Sequence, residues 1–224
     1  MAAVPVPDVI PIFPLPQTVL LPGEVLPLHI FEPRYTEMVR DALASHHIIG
    51  MVQILPGHEK EQPFNPPVRD VGCAGVIARH TETEDGRFLI WLVGVERFHI
   101  SQELETVTSY RLVSIRHDGA ETETARQGLS LRRLNLLAAL TAFLDGKVEG
   151  GEDAVCDLMR QMGQVGDEAL AAAAAQVLGV TAERKQRLLE VQSIEERFDL
   201  LQRELDLTLE GPAPVLSFPG KVVH

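Results

Sequence analysis

Residues Pro11 to Tyr35, PIFPLPQTVLLPGEVLPLHIFEPRY, hold six prolines and three charges in an otherwise apolar run. Proline lacks an N–H and fixes φ, so Pro11, Pro14, Pro16, Pro22 and Pro27 exclude a helix here and leave edge strands, bulges and turns. Leu20-Leu21-Pro22-Gly23 reads as a turn, with Pro22 presetting φ and Gly23 free to take a positive one. From Glu24 to Phe31, the side chains of Val25, Leu26, Leu28, Ile30 and Phe31 suit a mostly buried strand. At Pro33 the period changes. Tyr35, Met38, Val39, Ala42 and Leu43 recur at i, i+3, i+4, i+7 and i+8, one face of an amphipathic helix. Pro33 falls in the first helical turn, where its missing N–H costs no hydrogen bond.

The strand pattern continues downstream. Ile48 to Leu55 reads as a strand ended by Pro56-Gly57. Residues 56–70, PGHEKEQPFNPPVRD, read as a loop whose prolines and charges leave nothing to bury. Val71 to His80 is a strand in which Gly72 and Gly75 mark a bulge or a close backbone approach. Glu84-Asp85-Gly86-Arg87 is a hairpin turn. Phe88 to Val93 is apolar on both faces, which predicts a central buried strand broken by Gly94. Arg97, His99 and Ser101 alternate with Phe98 and Ile100, which predicts one wet face. Tyr110 to Ile115 supplies another strand, and Asp118-Gly119 ends the β-rich half.

Helical signals then take over. Leu129 to Leu144 is apolar almost all round and predicts a buried helix. Glu152 to Met162 predicts a shorter one. Asp167 is placed to cap a helix over Glu168–Leu178, with Gly179 at its stop. Thr181 caps the next, ending near Glu190. Ser193 and Glu196 make a capping box, and Ile194, Phe198, Leu201 and Leu205 fall on one stripe of the helix that follows. Gly211-Pro212 ends it. Strands followed by helices predict an α+β chain. The expected parts are a β-rich subdomain over 1–118, a linker over 119–127, a helical bundle over 128–210 and a tail over 211–224.

The wording PLPQTVLLPGEVLPLHIFEPRY followed by a helix resembles the amino-terminal, substrate-binding domain of the Lon proteases. It is most like the stand-alone bacterial proteins that carry that domain alone. The resemblance continues as VGCAGVIARHTETEDGRFLIWLVGVERFHI over 71–100, and more loosely as KQRLLEVQSIEERFDLLQREL over 185–205. It implies a small, strongly bent, β-barrel-like sheet of the PUA-like type with one helix against it, followed by a helical bundle. It also implies a non-catalytic role, binding unfolded polypeptide or a specific protein partner through apolar surface.

Other chemistry is sparse. A full Lon protease has an ATPase phosphate loop and a Ser-Lys catalytic pair, but no G-x-x-x-x-G-K-[ST] occurs in this sequence. Gly220-Lys221-Val222 lacks both the upstream glycine and the hydroxyl residue that would hold Mg²⁺. No G-x-S-x-G elbow occurs either, so neither enzymatic activity nor a cofactor is expected. PUA-like barrels elsewhere bind RNA, which makes nucleic acid the alternative partner. The net charge of -12 counts against it, because affinity for a phosphate backbone comes from Lys and Arg. Cys73 and Cys156 read as small core residues outside any disulfide framework. Neighbouring helical side chains point about 100° apart, so His46-His47 make a poor ligand pair. His80 and His99 lie on strands that could bring them together, yet no metal motif accompanies them. Glu82, Glu84 and Asp85 flank the hairpin turn as a solvated cluster. The first residues carry no basic leader, and no run has the roughly 20 apolar residues of a membrane helix, so a cytoplasmic chain is expected.

The candidate site lies where strand gives way to helix. Helix-start chemistry by itself accounts for Glu32, Arg34 and Tyr35: the acid favours the positive helix end, and the tyrosine joins the core. The resemblance implies instead that this junction, with the adjacent Phe31, borders the surface that grips extended peptide. The candidate peptide-binding residues are therefore Phe31, Glu32, Arg34, Tyr35 and, in the proline-rich loop, Phe64. Trp91, in a continuous apolar strand, is expected in the core.

Overall fold

The computed structural model describes residues 5–58, 65–117, 126–145, 147 and 151–210. They fall into two compact units, one within Met1–Gly119 and one within Ala120–Phe218. The first holds β1 (Val9–Leu15), β2 (Val25–Ile30), α1 (Pro33–Leu43), β3 (Ile48–Gln53), β4 (Val71–Glu82), β5 (Phe88–Leu104) and β6 (Arg111–His117). The second holds α2 (Arg126–Leu144), α3 (Gly151–Gln164), α4 (Asp167–Val177), α5 (Ala182–Glu190) and α6 (Ile194–Glu210). The expected order of strands and then helices is the order observed.

One six-stranded sheet runs β2-β5-β4-β3-β1-β6, and β6 pairs back onto β5. This ring-like closure depends on the length of β5. Its first part pairs with β2 from Phe88 to Val93, and its last part pairs with β6 from Phe98 to Leu104. The ring interior is filled by Ile10, Ile12, Ile48, Val52, Ala74, Phe98, Val113 and Ile115. Gly50 and Gly72 make room for Phe98: a Cβ on either would come within 3 Å of its ring. The other face of the sheet carries α1, which packs on β1 and β3. Tyr35, Met38, Val39 and Ala42 of α1 are buried, as their spacing predicts. Pro33 sits in the first helical turn, and Gly23 has φ 83°.

Three expectations for this unit give way to packing. Gly94 does not break β5. The strand passes through it because the 21–24 turn lies against its backbone. The Gly23 N–H donates to the Gly94 carbonyl at 2.8 Å, and the Gly94 N–H donates to the Glu24 carbonyl at 2.9 Å. Arg97 is buried rather than on a wet face. The 56–70 loop does bury something: Pro66 is buried, and Val68 bridges Ile54. The pair His80 and His99 also stays apart, His80 facing Ile90 and His99 facing Val71 at opposite ends of the ladder.

In the helical unit α2 packs on α6 and α3, and α4 packs on α6. Ile194, Phe198, Leu201 and Leu205 are buried as one stripe. Thr181 caps α5 through its hydroxyl, which accepts from the Arg184 N–H, and the Ser193 hydroxyl accepts from the Glu196 N–H. α2 is not buried all round: Leu129, Leu136, Leu140, Phe143 and Leu144 face inward, while Leu131 and Leu134 are 66% and 63% exposed. Gly166 rather than Asp167 occupies the N-cap of α4. The Asp167 carboxylate instead takes an ion pair from Nη1 of Arg133, whose Nη2 donates to the carbonyls of Met162, Gly163 and Val165. Cys73 is buried but Cys156 is exposed on α3, against the expectation of two core thiols.

Candidate functional site

In an antiparallel ladder, directly paired residues point to the same side. On one side of β2 and β5 the pairs are Leu26 with Leu92, Leu28 with Ile90, and Ile30 with Phe88. All six are buried. On the other side the pairs are Val25 with Val93, Pro27 with Trp91, and His29 with Leu89. β4 extends this second row, with Val76 beside Val93, Arg79 beside Trp91 and Thr81 beside Leu89. Val76 also pairs with Ile48 and packs on the ring core. The row is therefore the same face of the sheet that lines the ring interior. Within the ring, strands curl over that face and fill it. Along the β2–β5–β4 arm they do not, and apolar side chains stay partly exposed.

Val25 is 52% exposed and Phe31, just past the end of β2, is 48% exposed. Pro27, Leu89, Trp91 and Val93 are half-buried. The His29 ring lies 5.8 Å from that of Phe31. Proline suits this strand because β2 ends the sheet. The Gly94 N–H donates to the Glu24 carbonyl, so in this register the odd-numbered residues of β2 turn their backbone groups away from β5. The N–H that Pro27 lacks is one the β2–β5 ladder does not use. The guanidinium of Arg79 stands over the Trp91 ring, 5.1 Å from its centroid.

The strand-to-helix junction adjoins this row. Glu32 precedes α1, and Arg34 pairs with its carboxylate at 2.9 Å while stacking on the Tyr35 ring at 4.5 Å. Tyr35 itself is 5% exposed, its ring 4.5 Å from that of Phe13. Burial is the main cause that pushes its phenol pKa up. Of the sequence-derived set, then, Phe31 is on the surface, Glu32 and Arg34 form a partly exposed ion pair beside it, and Tyr35 lies beneath. Phe64 lies outside the described residues. The residues that sequence reasoning missed are Val25, Pro27, Arg79, Leu89, Trp91 and Val93. The available signal was a strand apolar on both faces, which sequence reasoning read as wholly buried.

A cleft of about 170 Å³ between α1 and the β1–β6 edge is crossed by Tyr110, whose hydroxyl donates to Asp41 at 2.7 Å. Its phenol is pushed up, first by burial and then by that hydrogen bond. Among the described residues no three His, Cys, Asp or Glu side chains converge as metal ligands. No described helix is long and apolar enough to cross a membrane.

Comparison with known proteins places this geometry. The model of the ATP-dependent protease La (LON) substrate-binding domain matches residues 9–206. A Lon protease of Dictyoglomus thermophilum is 27% identical over 141 residues, 62% of this chain and 17% of that protein. The chain thus corresponds to a small part of that relative, and the match is to the substrate-binding domain rather than to catalytic domains. The N-terminal domain of the Mycobacterium avium complex Lon protease superposes with TM-score 0.67 at 16% identity, covering 88% of this chain and 98% of that one. A Lon N-terminal domain protein from Xanthomonas campestris superposes with TM-score 0.59 at 21% identity, covering 87% and 97%. A mixed ring-like sheet followed by helices is thus the fold of these neighbours too, and the chain belongs to the Lon substrate-binding domain family.

Proposed function

We propose that the protein is a binding module for unfolded or extended polypeptide, and that it acts without catalysis of its own. The observation that carries this reading is the partly exposed apolar row Val25, Pro27, Leu89, Trp91 and Val93, with Phe31 at its end. Single exposed apolar residues are ordinary, whereas a contiguous apolar surface marks an interaction site. A row on an end strand suits an extended chain, whose alternate side chains can meet the row. Glu32 and Arg34 form its polar border, and Tyr35 supports the junction from below. The reading also counts Phe64, which lies outside the described residues, among the binding residues.

The test is binding of a permanently unfolded model protein, such as reduced and carboxymethylated lactalbumin, to the full chain. The paired substitution Val25→Ser and Phe31→Ser should weaken binding about tenfold, the effect of about 1.4 kcal/mol of lost burial. Because both side chains are already about half exposed, the melting temperature should fall by no more than about 2–4 °C. Raising salt should change the affinity little, since apolar burial is not screened. Unchanged binding in the double variant, or binding abolished by modest salt, would overturn the reading. So would ATP turnover that follows the protein through purification and vanishes with a point variant.

A further inference from the structure

We infer that Arg79 makes this apolar face selective for segments that carry an internal Asp or Glu between apolar residues. The inference rests on the polypeptide-binding reading and specifies what the surface prefers. Arg79 is exposed, and it lies beside Trp91 in the middle of the row, its guanidinium 5.1 Å from the indole centroid. Stacking on an aromatic face orients a guanidinium while leaving its edge N–H groups available to a carboxylate.

Four other arginines of the same unit are engaged. Arg34, Arg40, Arg87 and Arg111 each hold a carboxylate, on Glu32, Glu82, Asp85 and Glu103. Arg79 has no carboxylate partner among the described residues. Glu82, the nearest acid along β4, pairs with Phe88 on the opposite face and bonds Arg40 there. The row itself, from Val25, Pro27 and His29 through Leu89, Trp91 and Val93 to Val76 and Thr81, contains no acid. In a chain of net charge -12, a cation held over an apolar face is a local inversion of sign. Its complement is an anion carried by an otherwise apolar ligand.

The position within the row selects an internal carboxylate over a chain end. Trp91 lies between Leu89 and Val93 on β5, and Arg79 lies between Val76 and Thr81 on β4. Surface continues in both strand directions, so a chain laid along the strands places apolar side chains on each side of the acid. A terminal carboxylate at Arg79 would leave half the row uncovered.

Three fluorescein-labelled peptides of one apolar sequence test this on the full chain by fluorescence anisotropy. One has a central Asp and an amidated end, the second a central Asn and an amidated end, and the third a central Asn and a free C-terminal carboxylate. At low salt the Asp peptide should bind about three- to fivefold tighter than its Asn twin, the range of a partly exposed charge pair. Arg79→Gln should bring that ratio close to one. Arg79→Lys should keep part of it. Equal binding of the Asp and Asn peptides, or a ratio that survives Arg79→Gln, would overturn the inference. Preference for the free carboxylate over the internal Asp would overturn it in favour of a chain end. Binding of none of the peptides would instead bring down the polypeptide reading, and this inference with it.

Discussion

A Cβ added at Gly94 would lie 2.2 Å from the Leu21 carbonyl oxygen, and backbone cannot give way as a flexible side chain can. Gly94→Ala should therefore push the 21–24 turn off β5 and destabilise the unit by about 1–3 kcal/mol or more, read as a lowered midpoint in urea. Gly163, helical and with nothing within 4 Å of its added Cβ, is the contrast: Gly163→Ala should leave stability unchanged or raise it by up to about 1 kcal/mol. Sequence alone marks Gly94 as special but reads the speciality as a strand break, because the turn it must admit, residues 21–24, is remote in the sequence. Local signals fare better. Gly23 in its turn, Thr181 at its cap and Ser193 at its capping position act within three residues of themselves, and all three are where the sequence puts them. His117 is beyond such local reading. Its Nδ1 lies 2.9 Å from Glu96 and its Nε2 3.2 Å from Asp8, and the hydrogen bond to Glu96 is the main cause of its raised pKa. A raised imidazole pKa stabilises the fold fully below the ordinary histidine value and loses that effect as pH climbs through the folded one. His117→Gln should thus lower the melting temperature by about a degree near pH 5 and leave it unchanged near pH 9.

At the scale of elements, the sequence reads periodicity well and coverage poorly. The spacing of Tyr35, Met38, Val39 and Ala42 fixes the buried face of α1, and the stripe from Ile194 to Leu205 fixes that of α6, because each helix has one wet side. Phe88 to Val93 and Leu129 to Leu144 are apolar on more than one side. Whether the second side is covered depends on what folds over it, which a local pattern does not contain. In β5 that second side becomes the partly exposed row of Leu89, Trp91 and Val93. In α2 it leaves Leu131 and Leu134 in solvent. This difference can be checked by thermal melting. Leu140, fully buried on the inner stripe, should cost about 2–5 kcal/mol as Leu140→Ala. The pair Leu131→Glu and Leu134→Glu should leave stability within about 0.5 kcal/mol of the parent, the range for surface positions. A large loss in the glutamate pair would mean that the outer side of α2 is covered in solution.

At the scale of the molecule, the apolar clusters respect the division of the chain. The buried residues of the ring core come from β1, β3, β4, β5 and β6, and the row beside it from β2, β4 and β5, all within the first unit. The stripe of α6 and the inner side of α2 belong to the second. The closed pairing of β5 with β6 matters for the first unit, because it satisfies a strand edge from within that unit. The change from strand to helix composition is legible in the sequence, but closure is not, since nothing local says that the last third of β5 returns to β6. A chain ended at Gly119 should therefore fold alone, at a length for which one core is enough. Its circular dichroism should be that of a strand-rich protein with a cooperative thermal transition. Because the whole row lies within it, it should bind the unfolded model protein with the affinity of the full chain, to within about threefold. A truncated chain that is soluble but melts without cooperativity would show that the helices complete the first core. One that folds but binds tenfold more weakly would show that the helical unit supplies part of the grip, and would move the site beyond the β2–β5–β4 arm.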